Sequence, residues 1–536
     1  MSSREPLEHA YFLLMPFSGQ VRDPIHGYID YIKELEGTVM DSWAIQRLRY
    51  IYQLQAAHLV YPGATHTRFS HSLGVMHLSY KYVTFLLRNA HASVTSADAF
   101  KIMRNKCREI VLATRLLGLL HDVGHGPLSH AFDKYVYKSR DFLGYRVGNH
   151  EVLGYILYRD FIRDLVKKAM AHNLRVGLDV EYVLELLDSG MKPPPGMKRF
   201  TDLTSLGKMS NSDFYEPRGG EGFEHIARMV VRDYIYTSDI MDYLKRDSYF
   251  TGVPIGEINE DWIIRNSFIL EKGGKLTIAI ASKALDEIAR LFDARKLMYK
   301  YIYVHPVDVA FVETIGFLLN CIKSFIAGVL DEMLSSAEKL HEYISLTDHS
   351  VYSKLQELLV RGVEAYECED KALAKMALES LFYQRKPMWK LVKRFTYDLE
   401  EARVLFGEIG EKVQEFIKDR VCREISSKLS GKGVSEGDIK VSIEKVEAFP
   451  TAGSEIVDRV EIVDVKDGRV VHYESKSFEE FAAEYGLKSE ALISVYLNRR
   501  KYRDLSDDDI KAIIELTENI VESSIRGKGR EPPETS

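Results

Sequence analysis

Cysteine is scarce in this chain, and its four copies, Cys107, Cys321, Cys368 and Cys422, lie far apart with no CxxC pair. That spacing makes neither a disulfide framework nor a zinc-thiolate site, and it suits a reducing compartment. Basic charge is not in excess: 72 Lys and Arg against 79 Asp and Glu leave a formal net charge of −7. A protein that coats nucleic acid by bulk electrostatics is excluded, although a local basic pocket is not. No basic stretch leads into a sustained apolar region at the N-terminus, so no signal peptide is expected. The most apolar later run, IGFLLNCIKSFIAGVL at 315–330, carries Lys323 and falls short of a clean membrane span. Internal repeats and low-complexity tracts are also missing. What remains is a cytoplasmic, enzyme-sized protein of 536 residues, 46% apolar and 28% charged. Its length allows roughly two to four domains with ample core.

Helical periodicity dominates from about residue 40 to 330. DSWAIQRLRYIYQL and CREIVLATRLLGLL repeat apolar residues at three- and four-residue intervals. Breakers separate the segments: YPGATHT at 61–67, GHGP at 124–127 and MKPPPGMK at 191–198. The polar, Gly-rich stretch 201–220 reads as a long loop. Helical periodicity resumes over 331–430 and is interrupted near Arg385-Lys386-Pro387. After SGKGVSEGD the pattern changes, because IKVSIEKVEAF and VDRVEIVDV alternate apolar and polar residues and KDGR signals a hairpin. Two more helical segments are expected at roughly 477–498 and 506–525, and 526–536 reads as a disordered tail. The expected fold is mainly α, a helical core with a smaller C-terminal α+β appendage. Its expected divisions are a catalytic core at 1–330, a helical extension at 331–436 and the α+β region at 437–525.

The most informative run is LLGLLHDVGHGPLSHAFD. An apolar helix delivers the adjacent His121 and Asp122, breaks at Gly124, Gly126 and Pro127, and is followed by His125, His130 and Asp133. Burying so many ionisable groups beside leucines costs several kcal/mol unless something compensates. A divalent cation compensates directly, since imidazole nitrogen and carboxylate oxygen are its natural ligands. Three distant segments add to the constellation: HTRFSHSLGVMHL with Arg68 and His71, NHEVLG with His150, and YTSDIMDYLKRDSYFTGV. On a helix, the last places Asp239, Asp242, Tyr243 and Asp247 along one face.

This H…HD…D order is the signature of the HD-domain phosphohydrolase superfamily. With VRDPIHGYI, QRLRYIYQL and PGATHTRFSHSLGV, the chain resembles the HD-domain deoxynucleotide triphosphohydrolases. More closely, it looks like the prokaryotic branch of the sterile-alpha-motif and HD-domain dNTPases, and no sterile-alpha-motif domain is expected before residue 21. The resemblance implies an HD-domain core and one transition metal (Fe, Mn, Zn or Ni) held by His71, His121, Asp122 and Asp239. Mg is an option for bridging substrate phosphates. It further implies a catalytic shell of His125, His130, Asp133 and His150. Within that shell we assign His130 as leaving-group acid, with His125 positioning water and the Asp133–His150 pair in support.

Substrate contacts carry over in the same way. Arg68, Arg295 and Tyr303 fall on the triphosphate and Gln53 and Asp247 on the sugar 3′-hydroxyl. Leu54 and Tyr243 close the space of a ribose 2′-hydroxyl. The implied reaction cleaves a deoxynucleoside triphosphate to deoxynucleoside and inorganic tripolyphosphate, in a homodimer or homotetramer with no membrane partner. Two features depart from the pattern. Ile240 stands where the eukaryotic enzyme carries a phosphate-binding lysine, and the activating-nucleotide site is incomplete: Gly19 lies near the position of a lysine, although Asp41, Gln46 and Arg49 match. Hydrolysis of another nucleotide (a ribonucleotide, an alarmone or a cyclic dinucleotide) or of single-stranded nucleic acid therefore stays open as the alternative. So does a non-catalytic nucleotide sensor.

Overall fold

The computed structural model describes residues 15–138, 148–172, 177–195, 209–215, 222–362, 367–407, 409–447, 449 and 459–526. Most of the expected 201–220 loop, and the expected tail beyond Arg526, lie outside the described residues. The fold is mainly helical, as the periodicity predicts. It divides into two compact units that interleave in sequence. The first comprises Met1–Ala294, Lys323–Ser353 and Phe449–Tyr485, and the second Arg295–Ile322, Lys354–Ala448 and Gly486–Ser536. The α+β region expected at 437–525 is thus shared between them.

Two long helices centre the first unit. Arg68–Asn89 follows the Pro62-Gly63 turn. Ala97–Leu120 starts where the Ser96 hydroxyl accepts from the Ala99 amide, and it buries Ile110, Leu112, Leu116, Leu117, Leu119 and Leu120. Truncating any one of these leucines would cost about 2–5 kcal/mol. A third helix, Ser238–Thr251, is capped by the Thr237 hydroxyl on the Ile240 amide and ends at Gly252 in the left-handed region. The hairpin β1 (Gly19–Asp23) and β2 (Gly27–Tyr31) turns through DPIHG: Asp23 Oδ1 accepts from the Ile25 and His26 amides, both at 2.9 Å.

The region read as mainly helical up to 330 also contains β3 (Ser267–Lys272) and β4 (Lys275–Ala281). Gly273 and Gly274, at φ 59° and 80°, supply the turn between them, a local signal that outweighs the surrounding helical pattern. β4 then pairs in parallel with β7 (Arg459–Lys466), and β7 pairs antiparallel with β8 (Arg469–Ser477) across the predicted KDGR turn.

The second unit is built on the antiparallel sheet β5 (Trp389–Asp398), β9 (Glu490–Asn498) and β6 (Ile439–Val446), with β9 central. Helices Gly410–Lys428 and Asp507–Ile525 cover it through Ile417, Val421, Ile425, Ile513 and Ile520. Two expectations fail here. β5 falls in a stretch read as helical. The helix expected at 477–498 ends at Tyr485, where Gly486 takes φ 64°, and ALISVYLN becomes a strand buried along its length. A strand buried on both faces lacks polar alternation, so a run of this kind mimics a buried helix.

The cysteine reading is also corrected: Cys321 and Cys368, 47 residues apart, are disulfide-bonded, while Cys107 and Cys422 take part in no disulfide among the described residues. The apolar run around 315–330 needs revision as well. Pro306–Met333 does meet the length and composition of a membrane span, and 67% of its most apolar window is buried within the protein.

Candidate metal centre

The three helices of the first unit bring His71, His121, Asp122 and Asp239 together. Nε2 of His71 lies 3.0 Å from Asp239 Oδ1 and 3.7 Å from Asp122 Oδ2. Nε2 of His121 lies 3.4 Å from Asp122 Oδ1 and 3.6 Å from Asp239 Oδ1. One ligand-type atom from each of His71, His121 and Asp239 falls within 4.8 Å of the others. Asp122 borders this trio and shares its Oδ2 with the guanidinium of Arg68.

The outward-facing nitrogens test whether a metal fits. Nδ1 of His71 pairs with Asp242 Oδ2 at 2.8 Å, and Nδ1 of His121 with the Gly118 carbonyl at 2.8 Å. Each outer nitrogen is thus occupied by an acceptor, which turns both Nε2 lone pairs inward, the arrangement that orients metal-ligating histidines. Among the described residues, His121 Nε2 is buried with no hydrogen-bond partner, a loss of about 1–3 kcal/mol for a group left this way. Two imidazoles and two carboxylates suit a divalent transition metal. Burial alone would lower His71, but Asp239 and Asp242 lift its pKa to about 10. Burial opposes ionisation of Asp239, but His121 and His71 hold it down at about 2. A metal binding here would compete with a proton for these ligand atoms.

Behind the cluster lies a network that sequence reading left unassigned. Asp242 is fully buried. It takes His71 on Oδ2 and His26 on Oδ1 at 2.6 Å, and Arg246 bridges Asp242 and Asp23. The DPIHG turn thus presents His26 to the carboxylate that aims His71. The helical spacing of Asp242 was visible in the sequence, but its partner 216 residues away was not.

His125, His130, Asp133 and His150 form a second group within the same 4.8 Å limit. Asn149 caps the helix His150–Leu157, accepting from the Glu151 and Val152 amides and leaving His150 at its first turn. Asp133 then accepts from the His150 amide at 3.0 Å and from its Nδ1 at 2.7 Å, and lies 3.3 Å from His130 Nδ1. The His125 and His150 rings stack at 3.5 Å. Burial, Arg68 and His150 push His125 well below the usual imidazole value. For His150, burial is outweighed by Asp133, and its pKa rises. His150 is therefore the member of this group most disposed to carry a proton near neutral pH. The His130 side chain is 61% exposed and faces solvent.

The loop carrying these groups is held from outside. Leu128 and Ser129 have φ of 60° and 53°, where a non-glycine residue costs about 1–3 kcal/mol. Asp348, fully buried, accepts from the Leu128 amide at 2.6 Å and the Tyr52 amide at 2.8 Å. Burial pushes its carboxyl up to about 7 against the pull of those amides. The Ser129 hydroxyl donates to the Tyr52 carbonyl and accepts from Arg68 Nε at 2.9 Å. Arg47 donates to the Val123, His125 and Leu346 carbonyls, and the Tyr343 hydroxyl donates to Gly124.

The expected substrate residues divide. Gln53, Leu54, Arg68, Tyr243 and Asp247 belong to the first unit. His66, which sequence reading did not single out, links two of them: its carbonyl accepts from the Gln53 amide and its Nε2 pairs with Asp247 Oδ1 at 2.8 Å. Arg68 is buried on Asp122 and Ser129. Arg295 and Tyr303 belong to the second unit, where Arg295 donates to the Glu447 carbonyl and covers the Tyr299 ring. Ile240 is buried. Gln46 donates to the Met40 carbonyl, and Arg49 donates to Gln46.

The HD-domain family model matches residues 68–186, the span that holds His71, the His121-Asp122 pair and the second histidine group. The chain carries an HD domain over those residues. It is 31% identical to an uncharacterized protein of Methanocaldococcus jannaschii, MJ1154, over 53% of this chain and 46% of that protein. It is 26% identical to deoxynucleoside triphosphate triphosphohydrolase SAMHD1 of Gallus gallus, over 61% of this chain and 50% of that one. The chain thus spans about half the length of these relatives. In fold, the chain is similar to a Bacteroides thetaiotaomicron phosphohydrolase, with TM-score 0.57 and 20% identity, covering 90% of this chain and 99% of the other.

Proposed function

We propose that this HD-domain protein is a metal-dependent hydrolase of deoxynucleoside triphosphates, releasing deoxynucleoside and inorganic tripolyphosphate. The observation that carries the reading is the pairing of two groups in one unit. His71, His121, Asp122 and Asp239 offer a ligand set, and beside them the His130–Asp133–His150 unit can hold a proton. A bound divalent ion supplies a Lewis acid for the α-phosphate and an acidified water.

The side chains supply the rest. A proton on the His150 and Asp133 pair, or on His130 at the open face, reaches the departing 5′-oxygen and lets the nucleoside leave as an alcohol. Proximity to Asp133 favours His150 over His130 as its carrier, a revision of the assignment made from sequence. His125, kept neutral, can orient the water. Gln53 and Asp247, joined through His66, are the proposed sugar contacts, with Leu54 and Tyr243 in the same unit, and Arg68 is the proposed phosphate contact. Relatives named as deoxynucleoside triphosphate triphosphohydrolases support the same substrate class.

The test is to incubate pure protein with each dNTP and Mn or Fe and to separate the products. Deoxynucleoside and tripolyphosphate are expected. dNMP with pyrophosphate, or no turnover, defeats the reading. A second reading, hydrolysis of another phosphoester, is favoured by the buried Ile240 and by the engagement of Arg68 on Asp122. Faster turnover of GTP or an alarmone than of any dNTP would put it in place of the first.

A further inference from the structure

We infer that Asp348 is a positioning residue that holds the histidine loop in its working conformation, an inference that rests on the phosphohydrolase reading of the same site. Asp348 lies outside the matched HD-domain span, 220 residues beyond Leu128, and touches neither proposed metal ligands nor catalytic histidines. Its two carboxylate oxygens each take one backbone amide, Leu128 at 2.6 Å and Tyr52 at 2.8 Å. Leu128 and Ser129 are consecutive non-glycine residues at positive φ, and His130 follows immediately. Left to itself, such a pair relaxes toward negative φ and carries His130 with it.

The surrounding contacts converge on the same loop. Ser129 is tied to the Tyr52 carbonyl, so both polar groups of the Tyr52 backbone serve the clamp. Ser129 also receives Arg68, which reaches on to Asp122. A neutral amide at position 348 would face one of the two N–H groups with an N–H of its own, breaking half the clamp without changing its volume. The loop's two ends would respond differently. His121 and Asp122 are held by the helix Ala97–Leu120, whereas His130 depends on residues 128 and 129.

The experiment compares full-length, metal-loaded wild type with Asp348→Asn, Leu128→Gly and the double variant. Amide exchange over 121–133, metal content by mass spectrometry, and kcat and KM with dGTP and with bis(p-nitrophenyl) phosphate are measured with Mn present. In Asp348→Asn, exchange at the loop should rise about tenfold or more through local opening. Metal content and KM should stay near wild type while kcat falls about 10²-fold, the scale of a displaced catalytic group. Leu128→Gly, which makes positive φ free of strain, should restore part of that kcat in the double variant. If Asp348→Asn does not fold, Asp348→Glu takes its place and must give the same split. Unchanged exchange in the variant that folds, turnover lost only in proportion to metal, or no rescue by glycine overturns the inference. If wild type hydrolyses neither phosphoester, the proposed function fails, and the exchange measurement alone decides the role of Asp348.

Discussion

A β-carbon added to Gly74 would stand 1.9 Å from Oδ1 of Asp242. The helix Arg68–Asn89 can therefore approach Ser238–Thr251 closely enough for Asp242 to reach His71 only because position 74 has no side chain. Gly74→Ala should force the carboxylate aside and destabilise the protein by about 1–3 kcal/mol, the usual cost of overpacking. Thermal melting with and without added metal checks this. An unchanged midpoint would show that the helices can separate at no cost.

Asp242 is not itself a proposed ligand, yet it fixes the tautomer of His71. Asp242→Asn should weaken metal affinity about 10–100-fold, the range for partners of ligating histidines. Competition with a chromogenic chelator measures it, and wild-type affinity in the variant would remove Asp242 from the account.

Asp122→Ala should lose metal and turnover together, because the cluster loses a charged ligand. His130→Ala should keep its metal while turnover falls. Metal analysis beside product analysis separates the two. Full occupancy in Asp122→Ala, or a metal-free His130→Ala, would exchange their places.

Asp133 raises the pKa of His150 above the ordinary imidazole value of 6.5. The protonated form therefore persists at neutral pH and is lost as pH rises through the raised value, so kcat should fall on the alkaline side. Asp133→Asn removes the carboxylate, lowers that pKa and should move the alkaline limb to lower pH. A pH–rate profile that does not move would assign the limb to another group.

β8 lies at the edge of its sheet, and Val471 on it is 61% exposed. An edge strand is a ready surface for a second copy, and Gly19 stands near the position where the family resemblance implies an activator-binding lysine. A stable oligomer, active without added nucleotide, is the expected result of light scattering and assay in plain buffer. A monomer that assembles and turns over only after GTP or dATP is added would contradict both halves.

The candidate site was legible where chemistry announces itself in residue type. An HD pair at the end of an apolar helix, histidines three to nine residues on, and a carboxylate face on a later helix are local patterns, and the fold brings most of them into one unit. The supporting residues were not legible. His26, His66 and Asp348 act through partners 216, 181 and 220 residues away, and nothing in their neighbourhoods marks them as more than turn or helix residues. β9 was misread for a related reason. Successive residues of β9 are buried on both faces of its sheet, so the alternation that identifies strands is lost. The Cys321–Cys368 bond escaped because separation along the chain carries no information about separation in space.

The interleaving of the two units also sets an order of completion. All four proposed metal ligands have left the ribosome once Asp239 emerges, but the Leu128 amide must await a carboxylate 220 residues further along. At about 5–20 residues per second, that interval is roughly 10–45 s. The first unit is whole only when Tyr485 arrives. Only for the later part of that interval, the 109 residues from Asp239 to Asp348 or roughly 5–22 s at that rate, does the nascent chain carry all the groups that could bind an ion but not the one that sets the histidine loop.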